Sequence, residues 1–155
     1  MEKKYNLRPL YGDEAYNSIT RSGRYEKAKG IRHHYKTSVA RHSMRTAEYG
    51  RNICRFLKKR GIEVSEEAVV QACLLHDIGM TDDDVADCPS FMKAYRHPRR
   101  GEDIARKEYL VNEITCNSIR RHMWPICIIP PKFLEGWVVV AADKCCSIWE
   151  ITRNK

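Results

Sequence analysis

Residues Leu74–Gly79 read LLHDIG, an apolar run that ends in adjacent His76 and Asp77 and then turns on Gly79. Two readings fit this stretch. In one, a buried helix breaks at a loop and leaves a polar pair at its exit. In the other, the pair are metal ligands, because imidazole and carboxylate together suit Fe, Mn, Zn and similar divalent ions. The rest of the chain decides between them.

Outward from this stretch the periodicity is helical almost throughout. Ser65 is a good N-cap, and Glu66 and Glu67 place negative charge where the helix dipole favours it. The helix this predicts runs through Val69, Ala72 and Leu75 to His76, with Gly79 at its exit. Before it, Val39, His42, Thr46, Tyr49, Ile53 and Leu57 lie on one stripe of a helix over Tyr35–Arg60, ended by Gly61. After it, the acidic and proline-containing MTDDDVADCPSF (80–91) reads as a loop. His97-Pro98 reads as a cap with proline at the first helical position. That helix extends to about Leu110, and another spans Asn112–His122. WPICIIPP (124–131) is a connector. The segment from about Lys132 to Thr152 contains the β-rich WVVV, yet Trp137, Ala141, Lys144 and Ile148 keep a helical period. With a short helix near Asp13–Ser22, the expectation is an all-α, single-domain bundle of about six helices. Residues 1–34 read as an N-terminal extension packed on a core of residues 35–155.

Composition narrows the function classes. The 155 residues suit one domain, with no internal repeat and no Gly/Ser-rich linker. MEKKYNLRPL lacks the apolar core of a signal peptide. The longest apolar run, Trp137–Ala142, falls far short of the ~20 residues a membrane span needs. The expectation is a soluble, cytoplasmic protein with no membrane partner. Seven cysteines, an odd number with no C-x-x-C pair, read as reduced thiols rather than as a disulfide framework or zinc knuckle. The net charge of +8 suits an anionic partner. Its basic residues form short clusters such as Lys58-Lys59-Arg60, Arg99-Arg100 and Arg120-Arg121, with no RNA-binding signature. A phosphorylated small molecule therefore fits better than nucleic acid.

His42 sits on the apolar stripe of its helix, His76-Asp77 close the next, His97 opens another, His122 ends the following one, and Asp143 lies in the last. Alone, each is most simply a satisfied core histidine, a helix cap or a buried acceptor. Together, four of the six histidines and two aspartates gather at inward or terminal positions of different helices. Buried charge is costly unless it is paired or bound to metal, so the joint pattern favours the metal reading.

The order His42, His76-Asp77, His97, His122, Asp143 resembles the HD superfamily of metal-dependent phosphohydrolases, whose signature is LLHDIG. The resemblance covers about Tyr35–Glu150. HMWPICIIPPKFLEGWVVVAADKCCSIWE (122–150) is especially similar to small bacterial HD proteins. His97 and His122 match the binuclear branches, which include diadenosine tetraphosphate hydrolases and HD-GYP phosphodiesterases. The resemblance implies that His42, His76, Asp77 and Asp143 hold one metal ion and that His97 and His122 hold a second. Asp77 would bridge the two and so be the essential catalytic residue. Fe or Mn are the first candidates, with Zn, Mg, Ni and Co as alternatives. It further implies hydrolysis of a phosphoester or phosphoanhydride, most simply in a nucleotide or dinucleotide, by a hydroxide shared between the metals. The chain departs from HD-GYP proteins at Met80, where they carry lysine, and at His122-Met123-Trp124-Pro125, where their paired histidines and GYP loop are missing. That argues against a cyclic-dinucleotide phosphodiesterase and against a third metal.

On the substrate side, Arg45 lies one turn after His42, Lys144 follows Asp143, Arg121 precedes His122, and Arg100 is one turn after His97. A basic ring of these residues around the metals would stabilise phosphate oxygens, and solvated helix faces are the plain alternative for Arg100 and Arg121. Two other function classes stand beside hydrolysis. One is a mixed-valence di-iron oxygenase, which HD-fold proteins build from a similar ligand set. The other is a non-catalytic nucleotide-binding module. Self-association of the chain is left open.

Overall fold

A computed structural model describes residues 17–33 and 36–153. Among them the chain is helical, with α1 Gly23–Gly30, α2 Val39–Lys58, α3 Glu66–Leu75, a 3-10 turn Ile78–Thr81, α4 Asp83–Ala86, α5 Ser90–Glu108, α6 Glu113–Arg121 and α7 Leu134–Arg153. The only β pairing among these residues is an isolated bridge between Arg32 and Ser38. No helix among them is long and apolar enough to cross a membrane.

α3 is the central helix. Ala68, Val69, Val70, Ala72, Cys73, Leu74 and Leu75 are all buried, so it is apolar around nearly its whole circumference, as a helix enclosed by others must be. It packs against α2, α6 and α7. The long helices α2 and α5 are amphipathic and turn their apolar faces inward. The caps explain where several elements start. Ser38, Ser65 and Asn112 each accept a hydrogen bond from the backbone N–H three residues on, satisfying an orphan donor of the first turn. α2 closes at Gly61, whose φ of 75° is the left-handed conformation glycine adopts without steric cost.

Three expectations are corrected. α2 begins at Val39, after the Ser38 cap, rather than at Tyr35, which lies outside the described residues. The 80–91 stretch is not simply loop. It holds the second half of the 3-10 turn and all of α4, whose cap is the Asp82 carboxylate accepting from Asp84 N–H, and it ends inside α5. α5 begins at Ser90, so His97 and Pro98 lie in its interior instead of opening it. Pro98 has no N–H for the Ala94 carbonyl, which would ordinarily be a serious defect. Here the Cys127 thiol donates to that carbonyl at 3.7 Å, and Pro98 is buried. Of the expected Asp13–Ser22 helix, residues 13–16 lie outside the described region. Residues 17–20 are helical, and Ser22 caps the unexpected α1. Ile19, Tyr25 and Ala28 join the same hydrophobic core as α2, α3 and α7.

The 3-10 turn runs directly against α5. A Cβ on Gly79 would stand 2.1 Å from the His97 carbonyl oxygen and 2.8 Å from the Gly101 nitrogen. Both are backbone atoms of a packed helix and cannot step aside. Gly79→Ala is therefore expected to cost at least about 3 kcal/mol, at the upper end for overpacking. Urea denaturation measures that loss directly, and a variant within about 0.5 kcal/mol of wild type would contradict the close approach.

Candidate metal centre

Each imidazole at the centre is oriented by its own helix. His76 Nδ1–H donates to the Cys73 carbonyl at 2.7 Å, His97 Nδ1–H to Lys93 at 2.6 Å, and His122 Nδ1–H to Ile119 at 2.8 Å. A carbonyl can only accept, so Nδ1 carries a proton and the Nε2 of each ring faces inward. This is the arrangement that fixes a histidine for metal binding. His42 is fixed from farther away. Its Nδ1 faces the Glu150 carboxylate at 2.9 Å and its Nε2 faces Asp143 Oδ1 at 3.1 Å.

Asp77 divides the centre in two. Its Oδ1 lies 3.1 Å from His97 Nε2 and 3.5 Å from His122 Nε2, which are themselves 3.0 Å apart. Its Oδ2 lies 3.2 Å from His76 Nε2 and 3.9 Å from His42 Nε2. Asp143 Oδ1 completes the second group, 3.1 Å from His42 Nε2 and 3.7 Å from His76 Nε2. All six residues with ligand-type side chains singled out in the sequence thus converge, and all are buried.

These residues fit metal ions better than they fit one another. His76 Nε2 and Asp77 Oδ2 are buried and make no aligned hydrogen bond. The Nε2 atoms of His97 and His122 face each other, a repulsive contact unless a cation or proton lies between. Ligand atoms around an ion with ~2.1 Å bonds stand roughly 3.0–3.4 Å apart, close to most of these separations. The clusters His42–His76–Asp143 and His76–Asp77–His122 are each compact enough for one ion.

The electrostatics carry the same message. Burial alone would lower the pKa of His42, but hydrogen bonds to Asp143, Cys146 and Glu150 push it up to about 12. Burial likewise opposes protonation of His76, yet the charges and hydrogen bonds of Asp77 and Asp143 raise it to about 10. Burial would raise Asp77, but the adjacent His76 and His33 hold it well below the carboxylate range. Hydrogen bonds from His42 and His76 do the same for Asp143. His122 is pushed down to about 4 by burial, reinforced by His76 and His97. The carboxylates therefore demand positive charge, while His122 keeps an open lone pair.

Two further residues at the centre were missed in the sequence. Glu150 is fully buried in α7 and pairs with both His42 and the Arg45 guanidinium. It lies seven residues after Asp143, two helical turns along the same face, and that spacing was the available signal. His33 comes from the segment before α2. Its Nε2 is 2.9 Å from Asp77 Oδ2 and its ring stacks on His42. No helical pattern marks it.

The four basic candidates separate. Lys144 Nζ lies 3.4 Å from Asp143 Oδ2, at the edge of the centre and 41% exposed. Arg45 is spent on Glu150 and packs 4.4 Å over the Trp149 ring. Arg100 pairs with Asp82 at 2.6 Å, outside the ligand cluster. Arg121 is half-buried in the last turn of α6.

A family model described as HD domain matches residues 39–147. No curated protein and no solved structure matches the chain.

Chelator-treated protein is expected to gain stability when a divalent ion is restored, by about 2.7 kcal/mol at 100 times Kd. A metal-dependent rise in Tm measures it. Glu150→Ala should weaken metal affinity about 10–100-fold, as loss of a carboxylate behind a ligating histidine does. Glu150→Gln, which keeps an acceptor for His42, should lose less. Equal affinity in wild type and both variants would remove Glu150 from any role at the centre.

Proposed function

The chain belongs to the HD-domain family, whose members are mostly metal-dependent phosphohydrolases, and on that premise we propose that it cleaves a phosphoester or phosphoanhydride of a nucleotide or dinucleotide. The observation that carries this reading is the division of the Asp77 carboxylate. One oxygen faces His97 and His122, and the other faces His76 and His42. A carboxylate placed this way suits two cations side by side, the arrangement used for in-line displacement at phosphorus. His42, His76, Asp77 and Asp143 would hold one ion, and Asp77, His97 and His122 the other. Bound there, divalent ions of the Fe or Mn type would supply Lewis acidity towards phosphoryl oxygens and lower the pKa of water towards neutrality.

The side chains contribute preorganisation. The backbone carbonyls of Cys73, Lys93 and Ile119 hold three imidazoles in one tautomer and one orientation, so little rearrangement accompanies binding. Glu150, anchored by Arg45, does the same for His42. Lys144 is the basic candidate best placed to meet a substrate, because its ammonium reaches the rim beside Asp143. As a compact cation it can stabilise a phosphoryl oxygen while charge redistributes. Arg45 supports the centre from behind instead, and the Asp82 pairing draws Arg100 away.

Anaerobic incubation with a panel running from mononucleotides to dinucleoside polyphosphates, with Mn or Fe(II), tests the proposal. Wild type should release phosphate or a nucleotide. Asp77→Ala should lose at least about 1000-fold, because it removes a group shared by both ion positions. His97→Ala should retain one ion and lose the other. A metal-loaded wild type that cleaves nothing would end this reading, and oxygen consumption with an Fe(II)/Fe(III) paramagnetic signal would replace it with the oxygenase.

A further inference from the structure

The three tryptophans of the chain are used in different ways. Trp149 is covered by cations, with the Arg45 guanidinium 4.4 Å and that of Arg153 5.3 Å from its ring centroid. Trp124 and Trp137 instead meet each other, with centroids 4.9 Å apart and planes 71° from parallel. In such an edge-to-face pair one ring is set edge-on against the other and keeps both of its own faces clear of its partner. Neither indole belongs to the hydrophobic core or to the partly buried side chains packed on it, and Trp137 is 39% exposed. Two of the largest apolar side chains stand outside the bundle that they would have stabilised by entering it.

Their place beside the metal centre gives them a use. Trp124 follows the candidate ligand His122 by two residues, and its N–H donates to the Arg121 carbonyl at 3.1 Å. The connector that it opens is fastened at its far end, where Lys132 N–H donates to Asn117 Oδ1 at 3.0 Å. Trp137 lies on α7, seven residues before Lys144. Seven residues make close to two full turns, so the two share one face of α7, about 10 Å apart along its axis. The exposed residue between them on that face is Ala141, whose methyl leaves the surface open. Lys144 ends the track, with its ammonium 3.4 Å from Asp143 Oδ2.

An ammonium at one end, a methyl in the middle and an indole pair at the other follow the order of phosphoryl group, ribose and base. The length of the track is close to the reach of a nucleoside monophosphate from phosphorus to the far edge of its base. A phosphoryl group at the Asp143 rim would leave the base beside the indoles. Stacking there uses the aromatic face that every base has, so it accepts any of them.

We propose that Trp137, backed by Trp124, is the platform on which the substrate's nucleobase stacks while its phosphoryl group lies at Lys144 and the metal centre. The proposal rests on the phosphohydrolase reading and deepens it. The substrate class is a nucleotide rather than a sugar phosphate, and the platform selects for a base without choosing among bases.

The test uses the full chain loaded with Mn(II). Trp137→Ala and Trp137→Phe are compared with wild type, with thermal melts establishing that each folds. The probes are a panel of nucleoside monophosphates and ribose phosphate, which keeps the sugar and the anion and lacks the base. Three quantities are read: Mn content, Kd for each probe by calorimetry, and kcat/KM on whichever phosphate ester is cleaved. Wild type should bind the nucleotides more tightly than ribose phosphate. Trp137→Ala should raise the nucleotide Kd about 5–150-fold, the range for loss of one stacked base. Its Mn content and its Kd for ribose phosphate should not change. kcat/KM should fall in step with nucleotide affinity, and Trp137→Phe, which keeps an aromatic face, should recover part of both. Should Trp137→Ala fail to fold, Trp137→Phe against wild type carries the same comparison of nucleotide with ribose phosphate.

Equal wild-type affinity for nucleotides and ribose phosphate would overturn the proposal. An equal loss of both in Trp137→Ala would overturn it by making the indole a packing residue. Tighter binding of nucleotides that survives Trp137→Ala would do so by placing the base elsewhere. Cleavage of phosphate esters with no dependence on a base defeats the platform and leaves the phosphohydrolase reading intact. Trp137-dependent binding of nucleotides without cleavage leaves the platform standing and defeats only that reading.

Discussion

The centre depends on a backbone contact, the approach of Gly79 to the carbonyl of His97. α3 ends at Leu75, and the chain must turn at once if Asp77 is to stay inside the bundle. The 3-10 turn Ile78–Thr81 makes that turn by running against α5 at a distance no side chain would permit. Because the two backbones touch, Asp77 and His97 are brought within 3.1 Å, although they belong to different elements and are twenty residues apart in sequence. Without glycine here α5 would have to stand off, and the carboxylate would lose its approach to His97. The glycine of LLHDIG is thus a steric requirement of the two-sided carboxylate, not only a helix terminator.

The second constraint is electrostatic. Asp77, Asp143 and Glu150 are buried together in the company of four oriented imidazoles, a cluster that desolvation makes expensive unless it is compensated. Without metal, protons on His42 and His76 supply part of the compensation, which is why both rings are held far above the usual histidine range. That solution leaves His76 Nε2 and Asp77 Oδ2 without aligned hydrogen bonds, and it leaves the Nε2 atoms of His97 and His122, 3.0 Å apart, with room for one shared proton at most. Cations at the two positions would remove all three defects at once. The hydrophobic core bears the cost of assembling this cluster. α3 delivers His76 and Asp77 from the most completely apolar helix of the bundle, so the charge is placed by burial of Val69, Val70, Leu74 and Leu75.

How much of this was legible follows from which signals are local. The stripe Val39–His42–Thr46, the Ser65 cap and Gly61 are local, and each appears where the sequence pattern puts it. The six ligand-type side chains were readable because each occupies an inward or terminal position of a helix. Pro98 misled because proline is normally read as a boundary. Its tolerance inside α5 depends on the Cys127 thiol reaching the Ala94 carbonyl from 33 residues away in sequence, which no local pattern reports. Glu150 was legible in principle from its spacing to Asp143, although a glutamate near a helix end is ordinarily solvated. His33 had no such signal. Its place is set by the Arg32–Ser38 bridge and by stacking on His42, both visible only after the chain has folded back.

The net charge of +8 needs a different account from the one its size invites. A basic ring around the centre would have Arg45, Arg100, Arg121 and Lys144 at its rim, and of these Lys144 is the one set against the Asp143 carboxylate. Arg45 is turned inward to Glu150, and Arg100 is held by Asp82. Many other cations are likewise paired on the surface: Arg24 with Glu108, Lys27 with Asp83, Arg106 with Glu102 and Glu113, and Arg120 with Glu102. Exposed pairs of this kind contribute little stability, typically under about 1 kcal/mol each. They also cancel much of the field that a single arginine would project. What remains is the excess itself, which acts through the summed potential of the molecule. That potential raises the encounter rate of an anion with the whole surface and weakens as salt shortens the Debye length. On the proposed function, capture of a phosphorylated ligand and its chemistry would be separable. The first would belong to the overall charge, and the second to a few buried groups held in register by the contact at Gly79.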